Sequence, residues 1–275
     1  MPHIRVDETL VSHYEEQYFG EPWLEPETVL MVHGAAECGL AWYAWVPHLA
    51  RRYRVIRIDQ RGCGLSTPAP ADFRWTLENL AADLDHFLTA LGLTSVHVVA
   101  AKLGAAVSLQ FAASCPERVR SLSVLGAPVE KTARRPNPQL VPANAATDRT
   151  VSMRDWASQS MRSRLGPDVP EAQVEWWSDF MGAADPAGFA GLGLIMGSLE
   201  NFWQLNRISA TTLVVSTEGS ALGSVDAVRE WSGQIPNAEL VILPGDSYHI
   251  AASEPDRCAE LVLAFIDRHA QPTRD

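Results

Sequence analysis

Short apolar runs and amphipathic segments alternate along most of this chain, and that alternation constrains its fold more than any other feature. Thr28-Val29-Leu30-Met31-Val32 is an apolar run closed by His33-Gly34, and Arg54-Val55-Ile56-Arg57-Ile58 is a second, closed by Asp59. Runs of this kind suit strands buried on both faces of a parallel sheet. Between them, residues 40–52 carry Trp42, Trp45, Val46 and Leu49 at helical spacing. Residues 76–91 form an amphipathic pattern through Leu77, Leu80, Leu84, Phe87, Leu88 and Leu91, ended by Gly92, where a helix commonly stops. A strand over 95–100, a helix over 103–114 stopped by Pro116, and a strand over 119–125 follow. Strand, helix, strand in that order predicts a parallel sheet with crossover helices.

The alternation breaks between about 130 and 209. This stretch is first rich in Pro and Arg, then helical over 153–165, 171–181 and 187–206, with no good strand. It resumes with a strand over 212–216, a helix over 225–235, a strand over 239–243 and a helix over 254–269. The expected organisation is therefore an α/β core over 1–129 and 210–275, interrupted by an all-helical insertion over 130–209.

Composition narrows the function classes. The chain has 275 residues, 47% of them hydrophobic, and a formal net charge of -11. It can bury a sizeable core, and disorder, collagen and coiled coil are excluded. The acidic balance opposes phosphate backbones and anionic lipid, and Arg134-Arg135 is too short a basic stretch to reverse that. The four cysteines are widely spaced, with no C-x-x-C pair, so neither a zinc site nor a disulfide framework is expected. Residues 1–8 mix charges where a secretory signal is apolar, and no run of about 18 apolar residues occurs. A cytoplasmic protein that binds neither nucleic acid nor membrane is the expectation.

Three loops follow strands and should share the carboxyl edge of the sheet, where open α/β sheets take their ligands. The first, His33-Gly34-Ala35-Ala36, has small residues that let backbone N–H groups approach an oxyanion. The second, Ala100-Ala101-Lys102-Leu103-Gly104, is a tight strand-to-helix elbow in which small residues flank one long side chain. Lys102 is one of only two lysines, beside Lys131, in a chain with twenty arginines. The third, Pro244-Gly245-Asp246-Ser247-Tyr248-His249, places a histidine between a strand and the final helix.

These loops, with Asp59-Gln60-Arg61-Gly62-Cys63-Gly64-Leu65-Ser66, make the chain resemble the α/β-hydrolase superfamily, in particular its small cap-bearing esterases, lactonases and C–C hydrolases, over nearly its whole length. The resemblance implies an eight-stranded, mostly parallel sheet flanked by helices, a helical cap after the sixth strand, and no cofactor. It also implies an oxyanion hole from the N–H groups of Ala35 and Leu103 beside Gly34. The departures are chemical. The family elbow reads G-x-S-x-G, and here Lys102 stands in place of the nucleophilic serine. The triad acid usually follows the seventh strand, where Thr217-Glu218-Gly219-Ser220 puts Ser220. Only His249 survives, so a Ser-His-Asp acyl-enzyme mechanism does not carry over.

An amine is nucleophilic only when neutral, and an unperturbed lysine with a pKa of about 10.4 is charged at pH 7. Apolar neighbours and the positive end of the following helix would lower that value, whereas pairing with Glu37, Glu218 or Asp246 would restore the charge and make Lys102 an electrostatic anchor. His249 is the expected acid/base, oriented by Glu218 or Asp246. Cys38 and Cys63 are read as incidental thiols. Met153, Met161, Met181 and Met196, with Trp156, Trp176, Trp177 and Trp203, supply helical core and an apolar, aromatic-tolerant wall. Trp42, Trp156 and Trp177 are the candidate pocket residues. Arg162 or Arg164 offers a carboxylate contact, with solvent exposure the default for each.

The expected activity is cofactor-free chemistry on a small hydrophobic or aromatic carbonyl compound: ester, lactone, or a C–C bond next to a carbonyl. The candidate catalytic set is Lys102, His249, Ser220 and Glu218. A lyase, isomerase or oxygenase on the same fold, and a ligand-binding protein without catalysis, are the alternatives. A homodimer is compatible with the sequence.

Overall fold

The computed structural model describes residues 2–129, 152–197 and 204–270. Its strands form one eight-stranded sheet: β1 (His3–Arg5), β2 (Val11–Gln17), β3 (Thr28–Val32), β4 (Arg54–Ile58), β5 (Val96–Ala101), β6 (Val119–Leu125), β7 (Thr211–Thr217) and β8 (Ala238–Leu243). The order across the sheet is β1-β2-β4-β3-β5-β6-β7-β8. The β1–β2 and β2–β4 pairings at one edge are antiparallel, and every later pairing is parallel. β1 and β2 lie outside the strands expected from sequence, because charges and small polar residues break their apolar pattern.

The helices are α1 (Val46–Leu49), α2 (Leu77–Ala90), α3 (Leu103–Ser114), α4 (Met153–Leu165), α5 (Glu171–Gly182), α6 (Pro186–Gly197), α7 (Val225–Ser232), α8 (Ile250–Ser253) and α9 (Pro255–His269). The helix expected over 40–52 is instead a 3-10 turn at Gly39–Trp42 followed by the single turn α1; Pro47 sits in its first turn, and the chain leaves the helix at Ala50. The helix expected over 187–206 is described as α6 and a 3-10 turn at Leu205–Arg207. Lys131, Arg134, Arg135 and Trp203 lie outside the described residues.

β3 and β5 are buried along their full length, which explains their uninterrupted apolar sequence. The two faces of the sheet build two cores. One joins Leu30, Ile56 and Val98 to Leu84 and Phe87 of α2 and to Phe111 of α3. The other joins Val29, Met31 and Val99 to Phe265 of α9 and to Trp156, Met161, Trp177 and Met181 of α4 and α5. Full burial of one such large apolar side chain contributes about 1.5–3 kcal/mol. α2 starts where Thr76 accepts the N–H of Asn79, a side-chain cap of the usual kind.

Buried ion pairs pin the turn after β4. Arg61 donates to both oxygens of Asp83 at 2.8 and 2.7 Å and to Asp7 at 2.7 Å. Asp59 accepts from Leu65 at 2.9 Å and Gly39 at 2.6 Å and lies 2.8 Å from Nδ1 of His13. These contacts hold the loop that carries Glu37 against the sheet edge.

Candidate active site

Lys102 connects β5 directly to α3 with φ 52 and ψ -124, a backbone conformation that costs a non-glycine residue about 1–3 kcal/mol. Its surroundings impose that strain. The Lys102 N–H donates to Leu125 of β6 at 3.0 Å, while its carbonyl accepts from Ala105 at 3.0 Å and Ala106 at 3.3 Å, so the residue belongs to sheet and helix at once. Gly104 lets α3 begin against the first loop: a Cβ there would lie 2.2 Å from the carbonyl oxygen of His33. That loop is fixed in turn. Gln60 N–H donates to Nε2 of His33 at 3.1 Å, so the proton is on Nδ1, which donates to the Gly34 carbonyl at 2.7 Å. Burial lowers the pKa of His33 and keeps the ring neutral.

The Lys102 side chain crosses Gly34, where a Cβ would come within 2.6 Å of its Cε. It ends in an ion pair with Oε1 of Glu37. The other oxygen of Glu37, Oε2, accepts the Gly34 N–H at 2.8 Å. Oε1 also lies 2.8 Å from Nε2 of His249, at ion-pair distance but off the line of a good hydrogen bond, since neither ring nitrogen of His249 has an aligned partner among the described residues. The three residues are 6%, 4% and 3% exposed for Lys102, Glu37 and His249.

Burial lowers the pKa of Lys102 to about 8, against the pull of Glu37 and with the help of the charge on Arg164. For Glu37 burial works to raise the pKa, but Lys102 and His249 outweigh it and hold the carboxyl well below its usual range. Burial, then the charge of Lys102, lowers His249 to about 4 despite Glu37. At pH 7 the site thus holds an ammonium, a carboxylate and a neutral imidazole.

The acid that reaches His249 is Glu37. Glu218 and Asp246 are exposed, and Ser220 turns its hydroxyl to the N–H of Leu222 at 3.2 Å. The structure therefore does not bring Glu218 or Ser220 to His249. The loop after β7 is tied to the end of β8 and the loop that follows it, with the Glu218 N–H on Leu243 and the Gly219 N–H on Gly245. Glu37, weighed from sequence only as one possible partner of Lys102, is the acid not expected at His249. Its signal in sequence is a lone acid in a loop otherwise built of Gly, Ala and Cys, on the same edge as a rare lysine.

Ala35 and Leu103 flank this cluster. The Ala35 N–H makes no hydrogen bond among the described residues, and Leu103 opens α3, where the first N–H groups lack partners within the helix. The Trp177 ring packs edge-on against His249 with centroids 4.9 Å apart. Trp156 packs on Phe189 at 4.4 Å. Trp42 is buried in the same apolar cluster, edge-on to Trp45. Arg162 is exposed and pairs with Glu171, whereas Arg164 is buried. Burial pushes the Cys38 thiol up to about 12 and raises Cys63 as well, so both are protonated. Among the described residues, no group of three or more His, Cys, Asp or Glu is placed to hold a metal ion, and no helix is long and apolar enough to cross a membrane.

A parallel sheet with an antiparallel edge, a strained elbow after β5 and a histidine after β8 define the α/β hydrolase fold, and the chain belongs to that family: the family model for this fold matches residues 27–256. It is 33% identical over 277 residues to RutD of Caulobacter vibrioides, which carries the name of a carbamate hydrolase, covering 93% of this chain and 95% of that one. It is 26% identical to a pimeloyl-[acyl-carrier protein] methyl ester esterase of Aeromonas hydrophila, covering 88% of this chain and 95% of the relative. The enol-lactonase of Burkholderia xenovorans LB400 superposes with a TM-score of 0.84 at 21% identity, covering 97% of this chain and all of that one.

Proposed function

We propose that this protein is an enzyme of the α/β hydrolase fold that acts, without an acyl-enzyme, on a small hydrophobic or aromatic carbonyl compound. The observation that carries this reading is the buried cluster in which Glu37 holds Lys102 and His249 together at the elbow. Lys102, protonated at neutral pH, stabilises negative charge growing on the carbonyl oxygen, with the N–H groups of Ala35 and Leu103 as the oxyanion hole. Neutral His249 takes the proton released by the substrate or by an attacking water, and the Glu37 carboxylate stabilises the imidazolium that forms. The helices α4, α5 and α6 act as a cap whose Trp156, Trp177 and Phe189 accept an apolar substrate. The names of the relatives, a carbamate hydrolase and a methyl ester esterase, support carbonyl chemistry.

A second reading has Lys102 attack a ketone as a free amine and drive C–C cleavage or decarboxylation through an imine. Its pKa near 8 favours this route in mildly alkaline solution. Hydrolysis through such an amine is disfavoured, because acyl transfer to lysine leaves a stable amide.

The test is turnover of aryl esters, lactones and β-keto compounds by the wild type, Lys102→Ala, Lys102→Ser and His249→Ala, with borohydride added and intact mass recorded. The charge-stabilising reading expects wild-type turnover with no reduced adduct, and its loss in Lys102→Ala. A trapped adduct replaces it with the imine reading. No wild-type turnover on any member of the panel, with esterase activity appearing only in Lys102→Ser, sinks both and leaves a ligand-binding protein on a hydrolase scaffold.

A further inference from the structure

Three arginines of the described residues are buried: Arg57, Arg61 and Arg164. Arg57 pairs with Glu15, and Arg61 with Asp83 and Asp7. Arg164, 8% exposed, has no acid among the described residues. Its Nε donates to Ser160 one turn back in α4 at 3.0 Å, and its terminal nitrogens make no hydrogen bond among the described residues. The guanidinium lies over the rings of Trp156 and Tyr248, 4.7 and 5.7 Å from their centroids. A buried cation without a counter-charge is costly, and ring faces offset only part of that cost.

The placement of Arg164 ties it to the candidate active site. Its carbonyl accepts the N–H of His249 at 2.9 Å and the hydroxyl of Ser247 at 2.8 Å, so the last turn of α4 is bolted to the histidine loop. Its charge disfavours the charged forms of both Lys102 and His249. The same region holds buried donors without partners among the described residues: the Tyr248 hydroxyl and Nε1 of Trp177. With Lys102 and Arg164 positive, Glu37 negative and His249 neutral, these four groups carry one net positive charge at pH 7. That suits a singly charged anion better than a dianion.

We infer that Arg164 and the Tyr248 hydroxyl form an anion subsite that takes the carboxylate of a substrate whose apolar body lies against Trp156, Trp177 and Phe189. The inference rests on the proposed reading that the space over Lys102 is the substrate site, and it narrows that substrate to a carbonyl compound bearing a carboxylate. A guanidinium fork reads a planar carboxylate through two parallel N–H donors, and the terminal nitrogens of Arg164 are the pair left for that role.

The test measures binding rather than turnover, using phenylacetate, the neutral phenylacetamide and phenyl phosphate, followed by calorimetry and tryptophan fluorescence at pH 7. Wild type is expected to bind phenylacetate about tenfold or more tighter than phenylacetamide, the range of a charge-assisted hydrogen bond. Arg164→Met removes the preference, Arg164→Lys keeps part of it, and Lys102→Met retains it. No preference in wild type, a preference that survives Arg164→Met, or one lost only in Lys102→Met overturns the subsite. Tighter binding of phenyl phosphate overturns its assignment to a carboxylate. If Arg164→Met does not fold by circular dichroism, the comparison moves to Arg164→Lys, where an undiminished preference overturns the proposal. A protein that turns over nothing yet keeps the Arg164-dependent preference sinks the enzymatic reading and leaves the subsite standing.

Discussion

Oε1 of Glu37 stands 2.8 Å from Nε2 of His249 while it also receives the ammonium of Lys102. One buried oxygen thus couples the two groups with the greatest catalytic potential, and the carboxylate is fixed from behind by the Gly34 N–H. Removing its charge leaves a buried ammonium unpaired. Glu37→Gln is expected to lower stability by about 3–5 kcal/mol at pH 7, and by less at pH 9.5, where Lys102 has lost its proton. Urea unfolding at both pH values checks this. The double variant Glu37→Gln/Lys102→Met should recover most of the loss, because replacing a whole buried pair is far less costly than orphaning one partner.

The charge state of Lys102 separates the two mechanistic readings through the pH dependence of the rate. With a pKa near 8, an ammonium that stabilises an oxyanion is lost as pH rises, so kcat/KM falls tenfold per pH unit above about 8. An amine that forms an imine depends on the neutral form instead, so kcat/KM climbs up to about pH 8 and then levels off. The charge-stabilising reading predicts the first profile between pH 6 and 10.

How much of this was legible in the sequence divides along physical lines. Parallel strands carry their burial in their own composition, so β3 to β8 and the helices α2, α3, α4, α5 and α9 stand out from the apolar pattern alone. The elbow was also legible, since small residues around Lys102 are a local steric requirement. The partner of Lys102 was not. Glu37, Glu218 and Asp246 all lie on loops at the same sheet edge, and only the fold decides that Glu37 turns inward while the loop after β7 bonds to the end of β8 and leaves Glu218 exposed. Arg164 shows the same limit: Arg162 and Arg164 lie on one helix, and the packing of α4 against the His249 loop buries only the second.

Acid should weaken the fold through His249 and Glu37. His249 has its pKa lowered from 6.5 to about 4, so between these values the unfolded chain binds more protons than the folded one, and stability rises with pH across that window. Glu37 acts in the same direction: its folded pKa is depressed, so its contribution is present above its unfolded value and fades as pH falls below it. The His249 shift alone corresponds to about 3 kcal/mol lost between pH 6.5 and 4. Thermal or urea unfolding across that range should show the decline, and His249→Phe should flatten it. An equal decline in both proteins would place the acid sensitivity elsewhere.

Two glycines separate backbone packing from the buried ion pair. At Gly104 an added Cβ meets the backbone carbonyls of His33 and Val32 at 2.2 and 2.6 Å, and neither β3 nor α3 can move without breaking sheet bonds. Gly104→Ala is expected to cost about 1–3 kcal/mol or more from overpacking. At Gly34 the nearest atom is Cε of Lys102 at 2.6 Å, part of a flexible side chain that can swing aside. Gly34→Ala should therefore avoid backbone overpacking but displace the ammonium from Glu37, losing about 3–5 kcal/mol through the unpaired buried charges and cutting kcat/KM by about 10²-fold, as misplacement of a reacting group does. Unfolding curves and steady-state kinetics on both variants test the contrast. A Gly34→Ala protein with full activity would mean that Lys102 need not lie along this path to act.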